Sequence, residues 1–227
     1  MKKSRIDWAK FIVEEARVSP LLKLDEIARR LGISEPIVRR SFLRLAKRGM
    51  IEHFAKKRFI NLLVRDFSGR EFVNLLRPRS YVSLETILRE AGISSQTPVS
   101  ITGVTDGEPA SFSSQTVSIT FRHIKPGLYW GFKVRRTLYG AYNVADPEKA
   151  LLDWLYLTRK RGSEPITDEF DFRKLNREKL LSYAQKYPRS VKLELLESLA
   201  RSGAVLRNGK SSTSSEIRSQ QRSRYFG

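Results

Sequence analysis

The chain has no cysteine and only two histidines in 227 residues. Disulfide staples and thiolate metal sites are therefore excluded, and a zinc site on His53 and His123 would need carboxylates to complete it. Long apolar runs are also missing, and no stretch approaches the ~20 residues that span a bilayer. Met1-Lys2-Lys3 opens like the charged region of a signal peptide, but Asp7, Lys10, Glu14 and Glu15 interrupt any apolar segment behind it. A cytoplasmic protein without a membrane partner is expected. No glycine-rich phosphate loop is present, since Gly209-Lys210-Ser211 lacks the upstream glycine and strand. Negative charge is scarce as well: 24 Asp and Glu stand against 43 Lys and Arg, for a net charge of +19 and a pI near 10.4. The excess gathers at the ends, with a net +9 before Val64 and +4 after Leu206. Such a distribution suits a polyanion partner.

What is present begins with Leu24 to Leu63, which reads as a winged helix-turn-helix. Leu24, Ile27, Ala28 and Leu31 stripe one helix face, and Gly32-Ile33 breaks it. Ser34 offers an N-cap hydroxyl, and Pro36 suits the first turn of a second helix running from Glu35 to Arg48. Val38, Phe42 and Leu45 turn inward, which leaves Arg39, Arg40 and Arg44 outside. Two short strands, Met50–Phe54 and Phe59–Leu63, then flank the basic turn Lys56-Lys57-Arg58. This pattern predicts a helix whose first turn, Ser34 to Ile37, enters a major groove. Arg39, Arg40 and Arg44 would read guanine or hold phosphate, Glu35 would accept from cytosine or favour the helix dipole, and Lys56, Lys57 and Arg58 would grip phosphate. Ile6, Ala9, Val13 and Ala16 predict a preceding helix that completes this unit.

Asp66 to Arg70 predicts the boundary, followed by a short helix at Glu71–Leu76 and another after Ser83. Period-two alternation through Val99–Val104, Val117–Phe121, Leu128–Val134 and Tyr142–Val144 predicts a mostly antiparallel sheet. Asp146-Pro147 starts a helix apolar almost all round, and Asn176–Lys186 and Ser190–Arg201 suit two more. The expected class is α+β: a winged helix-turn-helix over residues 1–66, an α/β domain over 70–203 with C-terminal helices, and a basic disordered tail over 204–227. In the second domain Lys133, Arg135 and Arg136 are additional nucleic-acid candidates. Beside Tyr129, Trp130, Tyr139 and Tyr142 they would serve DNA or unstacked RNA.

No enzyme is expected. Glu148 and Asp153 lie about 140° apart around a helix, so they cannot share a metal ion. Asp153 among apolar neighbours calls for a buried cation, either Arg122 or Lys149. No cofactor, catalytic residue or metal ligand is assigned.

Three segments carry a resemblance: Arg77-Pro78-Arg79-Ser80-Tyr81-Val82-Ser83-Leu84-Glu85, Phe121-Arg122-His123-Ile124, and Val144-Ala145-Asp146-Pro147-Glu148-Lys149-Ala150-Leu151-Leu152-Asp153. Together with the N-terminal reader they make the chain resemble AbiEi-type antitoxins of abortive-infection, or type IV toxin–antitoxin, systems, over about two thirds of its length. The resemblance implies a winged-helix repressor fused to an α/β antitoxin domain. It also implies repression of its own operon at inverted repeats in double-stranded DNA, by a monomer or homodimer. The implied second partner is a nucleotidyltransferase-like toxin encoded alongside. The alternatives are a stand-alone DNA-binding regulator and an RNA-binding protein.

Overall fold

The computed structural model describes residues 6–160, 162, 167 and 169–202, and the expected 204–227 tail lies outside them. The described architecture is α+β. Helix α1 (Trp8–Glu15) starts where the Asp7 carboxylate accepts from the Ala9 and Lys10 amides, both at 3.1 Å. A strand that the alternation does not reveal, β1 (Leu21–Lys23), precedes α2 (Leu24–Leu31) and α3 (Glu35–Lys47). The hairpin β2 (Ile51–Ala55) and β3 (Arg58–Asn61) follows, and β3 pairs antiparallel with both β1 and β2. The expected inward residues Val38, Phe42 and Leu45 are buried, and Phe42 meets Trp8 and Phe59 edge-on at 6.0 and 5.3 Å. Asn61 is fully buried and donates to the Ile12 carbonyl at 2.9 Å, which locks β3 to α1.

After Asp66 and Gly69, both at positive φ, α4 (Glu71–Leu76) and β4 (Ser80–Val82) lead into α5 (Leu84–Glu90). Five further strands follow: β5 (Ile101–Thr105), β6 (Ala110–Ser113), β7 (Ser118–His123), β8 (Phe132–Thr137) and β9 (Gly140–Ala145). They join β4 in the order β6-β7-β5-β4-β9-β8. Three of the five pairings are antiparallel, whereas β4–β9 and β5–β7 are parallel, so the sheet is mixed. Two expected strand starts are corrected. Val99 is almost wholly exposed outside β5, and Leu128 sits in a 3-10 turn that Pro126-Gly127 imposes before β8.

Both faces of the sheet are covered. Val82, Gly103 and Phe121 are register neighbours on the α4 side, where Gly103 leaves no room for a Cβ beside the Phe121 ring. Tyr81, Val104 and Arg122 alternate to the other side, against α5 and α6 (Pro147–Lys160). Helix α6 is buried nearly all round, as its composition predicts, and packs against α7 (Arg177–Ala184) and α8 (Arg189–Ser202).

The N-terminal sheet does not stand apart from this body. Leu21, Phe54 and Ile60 share one apolar core with Phe72 and the larger sheet. Phe54 packs on Phe72 and Phe112 at 5.7 and 6.2 Å. Beside them the Glu52 carboxylate accepts from the Gln115 and Thr116 amides and the Thr116 hydroxyl, at 2.5, 3.3 and 2.6 Å.

Candidate nucleic-acid interface

The turn between α2 and α3 is built on Gly32, whose φ of 62° is a left-handed conformation that bulkier side chains avoid. Its amide and that of Ile33 close on the last carbonyls of α2. Ser34 takes the extended N-cap backbone, but its hydroxyl makes no capping bond and stays exposed, which corrects the expected side-chain cap. The first turn of α3 therefore opens to solvent with Glu35, Pro36 and a half-exposed Ile37.

Beyond that turn, Arg39, Arg40 and Arg44 are all exposed, as their helical phase predicts. Among the described residues Arg39 and Arg40 have no ion pair or side-chain hydrogen bond, while Arg44 donates only to Ser41 Oγ at 3.2 Å. Lys47 at the end of α3 and Arg48 at its C-cap are exposed and have no ion pair among the described residues. They continue the row from Arg40 through Arg44 at three- and four-residue steps, and that helical spacing was the signal that could have found them. A groove of about 870 Å³ runs beside this row, between Trp8 of α1 and Ile33, Ile37, Arg44 and Arg48.

The β2–β3 turn behaves differently. Lys57 stands at its tip with φ 60°, and its ammonium is held by Glu35 at 2.8 Å. Arg58 pairs with Asp25 of α2 at 3.1 Å, and Lys56 alone of the three is without a partner among the described residues. The slight burial of Asp25 pushes its carboxyl up, but its own backbone amide, Arg58 and Arg29 outweigh this and hold it below the usual aspartate value. Glu35 and Asp25 thus fix the turn against α2 and α3.

Lys133, Arg135 and Arg136 do not form the single patch their sequence proximity suggests. Lys133 and Arg135 alternate onto one side of the edge strand β8 and Arg136 onto the other. Arg135 meets Glu90 at 3.3 Å and the Tyr142 hydroxyl at 3.4 Å, and Lys133 lies 3.8 Å from Asp146. Three of the four neighbouring aromatics are packing groups: Tyr142 is buried, Tyr129 leans on Tyr81 and Phe132, and Trp130 meets Tyr183 and Tyr187 edge-on, while the Tyr139 hydroxyl donates to the Arg65 carbonyl at 3.4 Å.

Residues of the stretches 77–85 and 144–153 converge elsewhere, in a buried polar centre. Lys149 Nζ donates to Asp153 Oδ1, to the Tyr81 hydroxyl at 3.0 Å and to the Tyr187 hydroxyl at 2.7 Å. Both tyrosines then donate to Asp153, at 2.9 and 2.6 Å, and Ser83 Oγ adds a fourth bond at 3.0 Å. Of the two expected partners for Asp153, Lys149 is therefore the one present. Ser83 occupies the N-cap of α5 but gives its hydroxyl to Asp153 instead of a helix amide. Burial pulls the Lys149 ammonium below the ordinary lysine value despite the adjacent carboxylate, and burial followed by the Asp153 charge lifts both tyrosines well above theirs. Nothing in this centre reaches solvent, so it holds the fold together and offers no substrate access. Glu148 is bound to the Asn176 amide at 2.9 Å, away from Asp153. His53 stacks edge-on against Phe59, and His123 Nδ1 faces the Gly107 carbonyl at 3.0 Å. Among the described residues no helix is long and apolar enough to cross a membrane.

No protein-family model matches the chain, and no curated protein matches it.

Proposed function

We propose that the chain is a sequence-specific DNA-binding regulator of the winged-helix kind, acting by binding and not by catalysis. The observation that carries this reading is the outer face of α3. Arg39 and Arg40 stand there without counter-ions among the described residues, above a packed apolar underside and just after a tight glycine turn. A rigid helix with unneutralised, forked cations on one side is what base edges and phosphates in a major groove select. In this reading α3 reads sequence, and Lys56, with Lys57 and Arg58 once released from Glu35 and Asp25, supplies phosphate grip.

The reading extends to an autoregulating antitoxin in the cytoplasm that counteracts a nucleotidyltransferase-like toxin. Support comes from Tyr81 and Ser83 of one shared segment meeting Lys149 and Asp153 of another, which makes the two segments parts of one unit. Co-expression with the adjacent toxin gene tests this extension: growth should be rescued, and absence of rescue by soluble protein against an active toxin refutes it.

The DNA reading is tested by salt-titrated binding to the chain's own upstream duplex, a scrambled duplex and single-stranded RNA. A preference of ~10³ or more for the upstream duplex, kept at physiological salt, is expected. Equal binding that collapses with salt, or tighter RNA binding, overturns it.

A further inference from the structure

A recess of about 500 Å³ opens between the β6–β7 edge of the large sheet and the last turn of α6, remote in sequence from α3. On the α6 side of the sheet its polar lining is Ser111, Thr120, Arg122 and Lys160, with Leu157 beside them, and none of its lining residues is acidic. Arg122 is the informative member. It projects from β7 on the α6 side, its Nε is buried without a hydrogen-bond partner, and it makes no ion pair among the described residues. Lys160 is likewise without an ion pair among the described residues, whereas His123, which alternates to the opposite side of β7, donates from Nδ1 to the Gly107 carbonyl. Asp106, the carboxylate that feels the His123 charge, is already engaged by Arg79.

A partly buried guanidinium without a counter-charge is costly, because desolvation is not offset by pairing. The Arg122 guanidinium, the Lys160 ammonium and the Ser111 and Thr120 hydroxyls line one small volume and match the oxygens of a tetrahedral oxyanion, and the fork of Arg122 suits two of them. The last carbonyls of α6 also face this end of the helix and carry partial negative charge, which Arg122 and Lys160 would offset in the absence of any ligand. The donors outnumber what that role requires. We propose that this recess is an anion site that takes the phosphate group of a small phosphorylated ligand.

The test follows the arginine Nε–H resonances of the full chain in ¹H–¹⁵N spectra during titration with inorganic phosphate, with ionic strength held constant by chloride. The Arg122 resonance, assigned by its loss in Arg122→Lys, should shift saturably, while those of Arg39 and Arg40 drift without saturating. Adenosine 5′-monophosphate should move it at equal or lower concentration. Lys160→Gln, at an exposed position without an ion pair among the described residues, should weaken the response about tenfold and lower the melting temperature by no more than about 4 °C, the cost of one cation at a helix C-terminus. An Arg122 resonance that stays still, or drifts together with Arg39 and Arg40, overturns the proposal and leaves Arg122 as a counter-charge to α6. Failure of adenosine monophosphate to move it, or an unchanged midpoint in Lys160→Gln, overturns it as well.

Discussion

Lys149→Met removes the cation from the buried centre while keeping a side chain of similar length. Lys149 and Asp153 are both fully buried, so the change leaves a carboxylate without its counter-charge in a medium that cannot solvate it. Breaking such a pair from one side destabilises by about 3–5 kcal/mol. Asp153 keeps three hydroxyl donors, from Tyr81, Tyr187 and Ser83, which places the expected loss near the lower end, about 3 kcal/mol. At about 2–4 °C per kcal/mol for a chain of this size, the melting temperature falls by roughly 6–12 °C. Asp153→Leu strands the ammonium instead and should be at least as damaging. The double variant removes both charges and should recover half or more of the summed loss, because an apolar pair replaces an ionic one. Urea unfolding followed by tryptophan fluorescence is the assay, since the Trp130 ring lies 5.0 Å from Lys149 Nζ and reports on the centre directly. A single-variant loss below about 1 kcal/mol, or a double variant whose loss equals the sum of the singles, refutes the argument that charge pairing holds this centre.

Tyr81 and Tyr187, lifted by burial and by Asp153, give stability that is present below their ordinary value of 10.0 and lost as pH rises through the folded-state values. Alkaline titration should therefore show at least two of the eight tyrosines ionising only with unfolding; eight ionising in the native state would contradict this. Burial raises Glu52, but bonds from Thr116 and Gln115 outweigh it, so its contribution is present above 4.5 and lost as pH falls through the lower folded value. Glu52→Gln should flatten that acid-side slope in melting-temperature scans below pH 4.5. Arg40→Ala should relax base preference by about 1–3 kcal/mol at one position, whereas Glu35→Gln frees Lys57 and should steepen the salt dependence by about one counter-ion in DNA titrations. Gly103→Ala forces a Cβ to 2.9 Å from the Phe121 ring and should destabilise by about 1–3 kcal/mol in urea melts.

Long helices with one strong period were readable in advance. The starts of α3 and α6 fall where Ser34-Glu35-Pro36 and Asp146-Pro147 announce them. The outward arginines of α3 follow from the same phase, and Lys149 was recoverable as the Asp153 partner because the two are one helical turn apart. The short strands were not readable. Three residues of β1 or β4 cannot display an alternation, and β4 is buried at every position because helices cover both sheet faces. Leu128 and Trp130 do alternate with their neighbours, yet the local geometry of Pro126-Gly127 prevails over that pattern. Tyr81 and Tyr187 escaped notice in the polar centre because they reach Asp153 across 72 and 34 residues, a distance that only the folded topology closes. The capture of Lys57 and Arg58 by Glu35 and Asp25 was equally invisible, since it links elements 22 and 33 residues apart.

The shared core of Leu21, Phe54 and Ile60 bears on how this chain can be dissected. A cut at the linker after Asp66 looks natural on the sequence, but it peels an oily seam from Phe72 and Phe112 and strips Glu52 of its Thr116 and Gln115 donors. The resulting N-terminal fragment would display that seam to water, inviting self-association that a binding assay reads as cooperativity. A fragment in which Leu21, Phe54 and Ile60 are first made polar would be the fairer test of what α3 does alone.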